Sequence, residues 1–559
     1  MTTGPTLQSV LRDRLAEAAS DPALGWYSGR ECRWSSGAEL DARSAALAAR
    51  LAEEGLEPGA VCAVVLSSDP GAALTVLAVL RTGAVPVLVA PPILRGGDRG
   101  LARTVVRVAE RAGARVAAIA AGLPDLSAAL AERGVRVVDE AGIRSALEGP
   151  AGTSGWAETR AGDVCFLQLT SGTTNDPKIC VWRHGPVLAA LESMAAAMEI
   201  ESGDIVCNWT PLYHDMGLVN NFLLGLATRT PLVMLRPTEF VREPAVWLRA
   251  LSDTGATVTW SPNFGYALAV ARAAEDELED VRLDGVRAFW NAAERIHPRT
   301  AREFAERFAP LGVRWEAMKG NFGCAENVGG ATFTAPGEPM TWERVDPAAL
   351  HEERVARLSD DTGAVEIAGV GRPAPGLEAR ILDEAGEPLP DGHVGEIALV
   401  TPSRMDGYLG DPAATAAAID GPWLKTGDLG YLRGEEVFWV GRTQERIVVN
   451  ARKFDPSDFE AVLLEIEGLR PGCFVAFGVD DEAEGTQRLV IASEYRANGG
   501  RPRAEIATEV RIRIQQRHGI RPHDVVLVAE GSLPKTSSGK RRHRHFKSEY
   551  LAGRLTGGE

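Results

Sequence analysis

Along most of the chain, short runs of consecutive apolar residues alternate with segments whose apolar positions recur every three to four residues. Val61–Leu66 (VCAVVL) contains no polar position and reads as a buried strand, and Ala72–Arg81 reads as the helix that follows it. Further on, the pattern predicts a helix over Val105–Arg111 and a strand over Val116–Ala120. Strand–helix alternation of this kind defines an α/β protein with largely parallel sheets. Near residue 365 it gives way to short strands with turn signals, as in Gly392–Ile397 (GHVGEI), which predict a β-rich portion reaching to about residue 440. A second change, at Gly441–Glu445, precedes a smaller α/β unit that ends in the turn Ser537–Lys540 (SSGK) and a basic stretch. The predicted architecture is a large N-terminal domain over 1–440, built of packed α/β subdomains and a β-rich subdomain, then a hinge over 441–445 and a small C-terminal α/β domain over 446–559.

Composition narrows the function classes. The 559 residues suffice for several cores; 45% are hydrophobic and 24% charged, as in soluble globular proteins. A net charge of −16 argues against nucleic-acid binding, which needs a basic surface, but leaves room for a nucleotide substrate held by a few cations. The seven cysteines (Cys32, Cys62, Cys165, Cys180, Cys207, Cys324, Cys473) are scattered without a CxxC pair, so neither a disulfide framework nor a zinc site is expected, and a reducing cytoplasm is. The N-terminus does not read as a signal peptide, and no stretch approaches the roughly 20 apolar residues of a membrane span.

The strongest chemical signal is Leu169–Lys178 (LTSGTTNDPK), directly after the apolar run Val164–Leu167. Small and hydroxyl-bearing residues at Thr170, Ser171, Gly172, Thr173 and Thr174 let backbone N–H groups and side-chain hydroxyls approach phosphate oxygens, and Lys178 adds a cation. The spacing is not that of the GxxxxGK[ST] nucleotide loop.

This segment resembles the phosphate loop TSGTTGxPKG of the adenylate-forming superfamily of acyl-CoA synthetases, adenylation domains and luciferases, from which it departs at Asn175 and Ile179. Other motifs follow in that family's order. Asn321–Glu326 (NFGCAE) is similar to its YGxxE segment, which implies that Asn321, Phe322 and Gly323 border the adenine, with Phe322 stacking on it, and that Glu326 holds Mg²⁺ beside the phosphates. Lys425–Leu429 (KTGDL) matches its TGD element, implying Asp428 as acceptor for the ribose hydroxyls. Gly441-Arg442 matches the following GR, with Arg442 as a second ribose or phosphate contact. Leu533–Lys540 (LPKTSSGK) matches the loop carrying the catalytic lysine, here Lys540, which stabilises charge that grows in the transition state. The resemblance implies ATP and Mg²⁺ as cofactors, a small-molecule acid as substrate, and a mobile C-terminal domain turning about Gln444.

Pro211–Leu218 (PLYHDMGL) is similar to the corresponding segment of the fatty-acyl-AMP ligase branch, whose members pass acyl adenylates to carrier proteins. It places His214, Asp215 and Met216 at the acid pocket. Pro262–Tyr266 (PNFGY) resembles that branch's PNFAY and adds Asn263 and Phe264. Asn291–Glu294 (NAAE) resembles its NGAE, putting Ala292 at the pocket and Ala293 and Glu294 beside the nucleotide. Val345–Arg357 resembles an insertion that restrains the small domain in that branch, and Val449–Glu460 (VNARKFDPSDFE) lacks the Gly-Gly pair that makes room for CoA. A carrier-protein thiol is therefore the expected acceptor; CoA, an amine (including nitrite activation for diazotisation) and a non-catalytic nucleotide binder are the alternatives. Trp260 and Trp290, with Asn221 and Asn327, point either to a shortened, more polar acid pocket or to ordinary core drift. His214 either gates the acid or is structural, and Arg541–Lys547 (RRHRHFK) is either a solvated basic tail or a contact for an acidic carrier protein.

Overall fold

The computed structural model describes residues 4–92, 99–150, 152, 154–170, 177–445, 447–449, 452–481, 486–496, 501–533, 535 and 541–555. Two large sheets carry its first part. One contains, in order, Gly407–Tyr408, Ile179–Arg183, Val164–Leu169, Val85–Leu88, Val61–Val65, Ala114–Ile119 and Arg136–Asp139, the last five parallel. The other has at its centre the parallel strands Met318–Cys324, Ala288–Ala292, Val258–Pro262, Val206–Asn208, Leu232–Met234 and Pro22–Ser28, with antiparallel strands at both edges. The strand Val61–Val65 is buried from Cys62 onward, and the helix Pro70–Arg81 behind it buries every side chain from Ala72 to Arg81. That helix starts where the Asp69 carboxylate accepts from Ala72 N–H and a proline occupies its first turn, a normal helix start.

The β-rich portion is an antiparallel sheet of Glu378–Leu382, Gly395–Val400, Trp423–Arg433, Ile419–Asp420 and Glu436–Arg442. The chain then enters the turn Thr443–Glu445 and a smaller unit. There the strands Leu469–Asp481, Thr486–Tyr495 and Asp524–Val528 pack against the helices Pro456–Leu463, Arg503–His518 and His543–Leu551. Its two apolar clusters, around Phe459 and Ile506 and around Phe477 and Phe546, draw only on residues from Ile447 onward.

The largest aromatic group of the core lies under the second sheet. Trp247, Tyr266, Phe289 and Phe304 meet edge to face or tilted at centroid distances of 5.0–6.3 Å, and the Trp247 indole N–H donates to Thr259. All cysteines are unpaired. Among the described residues no helix is long and apolar enough to cross a membrane.

Candidate active site

The site forms where several strands end. Val164–Leu169 runs into Thr170, Ala288–Ala292 into Ala293, and Met318–Cys324 into the turn Ala325–Asn327 that carries Glu326. In open α/β sheets ligands collect beyond the carboxyl ends of parallel strands. Ala293 adopts φ +70°, a left-handed conformation that non-glycine residues hold only when the surroundings impose it. The bend it makes puts both Ala292 and Ala293 on the cleft wall.

Thr170, Lys178, His214, Asp215, Met216, Ala292, Ala293, Asn321, Gly323, Glu326 and Arg442 line one cleft. An adjoining cleft shares Ala293, Asn321, Gly323 and Arg442, and adds Glu294, Phe322 and Asp428. Its far wall comes from the small unit, through Asp455, Ser457, Glu460, Arg541 and His543. Two of the sequence-predicted pocket residues line neither. Asn263 Oδ1 accepts from His297 N–H at 3.0 Å and from Asn291 Nδ2 at 3.3 Å, so its side chain ties the start of the helix Pro298–Phe308 to the strand Ala288–Ala292. Phe264 lies edge-on to Trp209, with the Lys535 ammonium 5.4 Å from its ring centre. Ser171, Gly172, Thr173, Thr174 and Lys540 lie outside the described residues, and Gln444 belongs to the turn Thr443–Glu445.

Asp428, 2% exposed, anchors the junction. Its Oδ1 accepts from Arg442 Nε at 3.1 Å and from Trp439 Nε1 at 3.0 Å. Arg442 faces Asp428 across the hairpin, because Asp428 and Arg442 are register partners; the Asp428 charge, with Glu445 and Glu326 adding to it, outweighs burial and fixes the guanidinium in its charged form. Glu294 caps the helix Asn263–Arg272 by accepting from Phe264 N–H at 2.6 Å.

Several residues of the site carried no signal that was used in reading the sequence. Tyr408, 9% exposed, donates its hydroxyl to Glu326 Oε1 at 2.6 Å, and the Lys178 ammonium sits 4.4 Å from its ring centre. Burial and the Glu326 charge together raise the Tyr408 phenol far above its ordinary range, so it stays a donor. Tyr408 thus ties together Lys178 and Glu326. Replacing it with phenylalanine keeps the ring beneath Lys178 and deletes the donor to a carboxylate, an interaction of about 1.5–3 kcal/mol. Tyr408→Phe is expected to lower pyrophosphate release at saturating MgATP by about tenfold, measured by steady-state kinetics with a thermal-unfolding control; an unchanged rate would remove Tyr408 from the site.

The basic stretch Arg541–Lys547 is not a solvated tail. Arg541 pairs with the buried Glu460 at 2.7 Å, His543 Nε2 lies 2.7 Å from the other Glu460 oxygen, and His543 Nδ1 lies 3.5 Å from Glu445. Lys547 reaches Asp480 at 3.6 Å. The stretch packs because His543 and Lys547, four residues apart on the helix His543–Leu551, share the face turned to Glu460 and Asp480, while Arg541 reaches Glu460 from just before that helix. Burial alone would hold His543 neutral, but Glu460 and Glu445 push it up to about 10. Burial would likewise raise Glu445, but His543 and Arg442, with Arg544, pull it down to about 2.

These shifts set a pH window. A raised histidine stabilises fully below its ordinary value of 6.5 and loses that contribution as pH climbs to about 10. A depressed carboxylate stabilises above its ordinary value of 4.5 and loses the contribution as pH falls to about 2. Burial and the neighbouring Asp458 raise Asp455 above the ordinary carboxylate range, which bears on the acid arm rather than the alkaline one. Lys319, lowered to about 8 by burial, opposes the alkaline loss from His543 over part of the same range. The urea midpoint of the wild-type chain is therefore expected to lose its margin over His543→Gln between pH 7 and 10. Parallel curves for the two proteins would contradict the pairing of His543 with Glu460 and Glu445.

Arg295 reaches Ser457 and Asp458 of the small unit, the latter at 3.3 Å. Within the segment that resembles an insertion, Glu352 accepts from Arg452 Nε at 2.8 Å. Arg452 also donates to the His518 carbonyl at 3.1 Å, and Phe454 is 2% exposed. Neither Asn221 nor Asn327 faces a cleft. Asn221 Nδ2 donates to the Met216 carbonyl at 2.7 Å, and Asn327 bonds Gly330 O and Ser403 Oγ. The neighbour Asn220 lines the cleft instead.

The half-buried Glu326 offers a carboxylate beside Thr170 and Lys178. Among the described residues no group of three or more His, Cys, Asp or Glu side chains is placed to hold a metal. A single carboxylate in a phosphate-sized cleft fits Mg²⁺ carried by a nucleotide, which takes one or two protein oxygens and completes its shell with phosphates and water.

With this geometry in place, the comparisons are consistent. The chain belongs to the AMP-binding enzyme family, which it matches over residues 11–409. It is an ATP-dependent, AMP-forming ligase. A Caulobacter vibrioides protein that carries an acyl-CoA synthetase name is 30% identical over 524 residues, covering 92% of this chain and 90% of that one. The long-chain-fatty-acid–AMP ligase FadD26 of Mycobacterium bovis is 33% identical over 412 residues, 69% of this chain and 70% of that one. A solved structure from work on fatty acyl-adenylate ligases of E. coli and L. pneumophila superposes with a TM-score of 0.89 at 26% identity, covering 99% of both chains.

Proposed function

We propose that this ligase joins a carboxylic acid to the α-phosphate of MgATP and passes the acyl group to the phosphopantetheine thiol of a carrier protein. A carboxylate oxygen attacks the α-phosphorus, the bond to the bridging oxygen breaks, and pyrophosphate leaves with its electron pair. The observation carrying this reading is the meeting of Thr170, Lys178, Glu326 and Arg442 on one cleft, with Asp428 at its edge. In that reading Lys178 and the segment Thr170–Thr174 orient the phosphates and Glu326 holds Mg²⁺. Phe322 borders the adenine, and Asp428 Oδ2 takes the ribose hydroxyls, since Oδ1 is already occupied by Arg442 and Trp439. Lys540 stabilises the charge that develops on the transferring group. The chain divides into 1–440, a hinge over 441–445 and 446–559, with the small domain turning about Gln444 between the two half-reactions.

A carrier thiol is favoured over CoA by the Arg452–Glu352 ion pair and the buried Phe454, which put bulk and a tether where a pantetheine tunnel would need slim backbone. The FadD26 relative, named for an AMP ligase, points the same way. The test is mass spectrometry of acyl transfer, with the preformed adenylate offered to phosphopantetheine-loaded carrier protein or to CoA. Loading of the carrier supports the reading; quantitative acyl-CoA formation without carrier loading overturns it.

A further inference from the structure

We propose that the acid this ligase activates is a short carboxylic acid bearing a hydroxyl group a few bonds from its carboxyl, held by Asn220 and His214. The inference rests on the ligase reading above and names its substrate class.

Depth comes first. Trp260 and Trp290 are register partners on adjacent parallel strands, so their side chains share a face. Ala292, on the cleft wall, is two residues beyond Trp290 and shares that face, which puts the indole one strand step behind the wall. The two indoles stack at 5.3 Å and 21°, and Phe333 closes on both edge to face at 6.2 and 5.4 Å. Trp260 is 0% and Trp290 2% exposed. This packed aromatic floor occupies the space a long alkyl chain would enter, and a close-packed core does not yield it cheaply.

Polarity comes second. Asn220 is 3% exposed and lines the cleft, yet its Oδ1 has no hydrogen-bond partner among the described residues. His214, 8% exposed on the same cleft, also leaves Nε2 without a partner there. Its Nδ1 is taken up on the other side of the ring, 3.1 Å from Met216 N and 2.6 Å from Asp215 Oδ1, so Nε2 is the ring atom left for the substrate. Buried polar atoms are almost always paired, so two orphans on one binding wall mark where a ligand supplies the missing partners. Gly329 keeps the approach open: it is on the cleft wall, and a Cβ there would stand 2.6 Å from Asn220 Oδ1.

The orphans specify complementary groups. With Nδ1 engaged by Asp215, His214 Nε2 is left to pair with a polar group of the acid, and Asn220 Oδ1, which can only accept, needs a donor on the short tail. A hydroxyl meets that need at little desolvation cost. An ammonium would have to be buried against a neutral amide beside Val219, which costs far more. The nearby Asp215 carboxylate is already engaged by Met216 N–H at 2.8 Å and His214 at 2.6 Å. A plain alkyl or keto acid leaves Oδ1 unpaired.

The experiment measures kcat/KM for pyrophosphate release by the full-length chain with MgATP. It compares butanoate, 3- and 4-hydroxybutanoate, 4-aminobutanoate, 2-oxobutanoate, nitrite and dodecanoate. A hydroxybutanoate is expected to exceed butanoate by at least about tenfold, and Asn220→Leu to erase that margin by lowering kcat/KM for the hydroxybutanoate at least about tenfold more than for butanoate. Preference for dodecanoate, the amino acid, the keto acid or nitrite overturns the pocket assignment while leaving adenylation intact. So does a hydroxyl preference that survives Asn220→Leu. Loss of ATP binding in the variant shifts the decision to the wild-type ranking alone. Silence with every acid overturns the hydroxy-acid assignment, and an adenylate formed from [α-³²P]ATP with an aromatic or medium-chain acid then keeps the ligase reading separate from it.

Discussion

Lys540→Ala is expected to slow pyrophosphate release from MgATP and acid by about 10²–10³-fold, the cost of deleting one preorganised electrostatic donor from a dry site. ATP affinity should change little, because the contact forms only as charge develops on the transferring group. Transfer of a preformed acyl adenylate to the acceptor should also persist, since the small domain is proposed to withdraw Lys540 before that step. Burst kinetics on the two half-reactions measured separately check this. Equal loss in both half-reactions would mean a folding defect or a structural role, and no loss in either would remove Lys540 from the chemistry. Lys540 adjoins Arg541, a residue of the cleft wall, while Lys535 on its other side lies over Phe264.

Asp428→Ala carries the second large effect. Asp428 is buried and accepts from both Arg442 and Trp439, so its loss strands a guanidinium and an indole N–H as well as removing the proposed ribose acceptor. Hydrogen bonds to a charged group contribute about 1.5–3 kcal/mol each, so KM for ATP is expected to rise by about tenfold to a hundredfold. Asp428→Asn keeps an acceptor for Arg442 and should lose less. Titration of ATP binding by calorimetry, with circular dichroism as the folding control, measures the effect; an unchanged affinity would detach Asp428 from the nucleotide.

Much of this was legible in the sequence, for a physical reason. Strands buried on both faces must be apolar throughout, so Val61–Leu66 and Val116–Ala120 declared the parallel sheet. The phosphate loop, Glu326, Asp428 and Arg442 lie in local motifs whose order along the chain survives folding. Tyr408 did not show itself, because its meeting with Lys178 depends on Gly407–Tyr408 pairing with Cys180-Val181, a contact between segments more than 200 residues apart. The choice of Asn220 over Asn221 at the cleft turns on the wider helical turn Leu218–Leu223, where the i→i+5 pattern rotates the side chains away from ordinary helix phase. The burial of Arg541 and His543 was hidden for a similar reason: their partner Glu460 lies some 80 residues upstream. Asn263 was misplaced because its motif lies at a strand end near the site, while its side chain turns to His297 and Asn291.

The central claim is that this cleft breaks ATP between its α- and β-phosphates to make an acid adenylate. Incubation of the full-length chain with [α-³²P]ATP, Mg²⁺ and the acid panel, followed by thin-layer separation, tests it directly. Label in an acyl-AMP species, with pyrophosphate in equal amount and both lost in Glu326→Gln, is the expected result; label in ADP, with orthophosphate released instead, would contradict it.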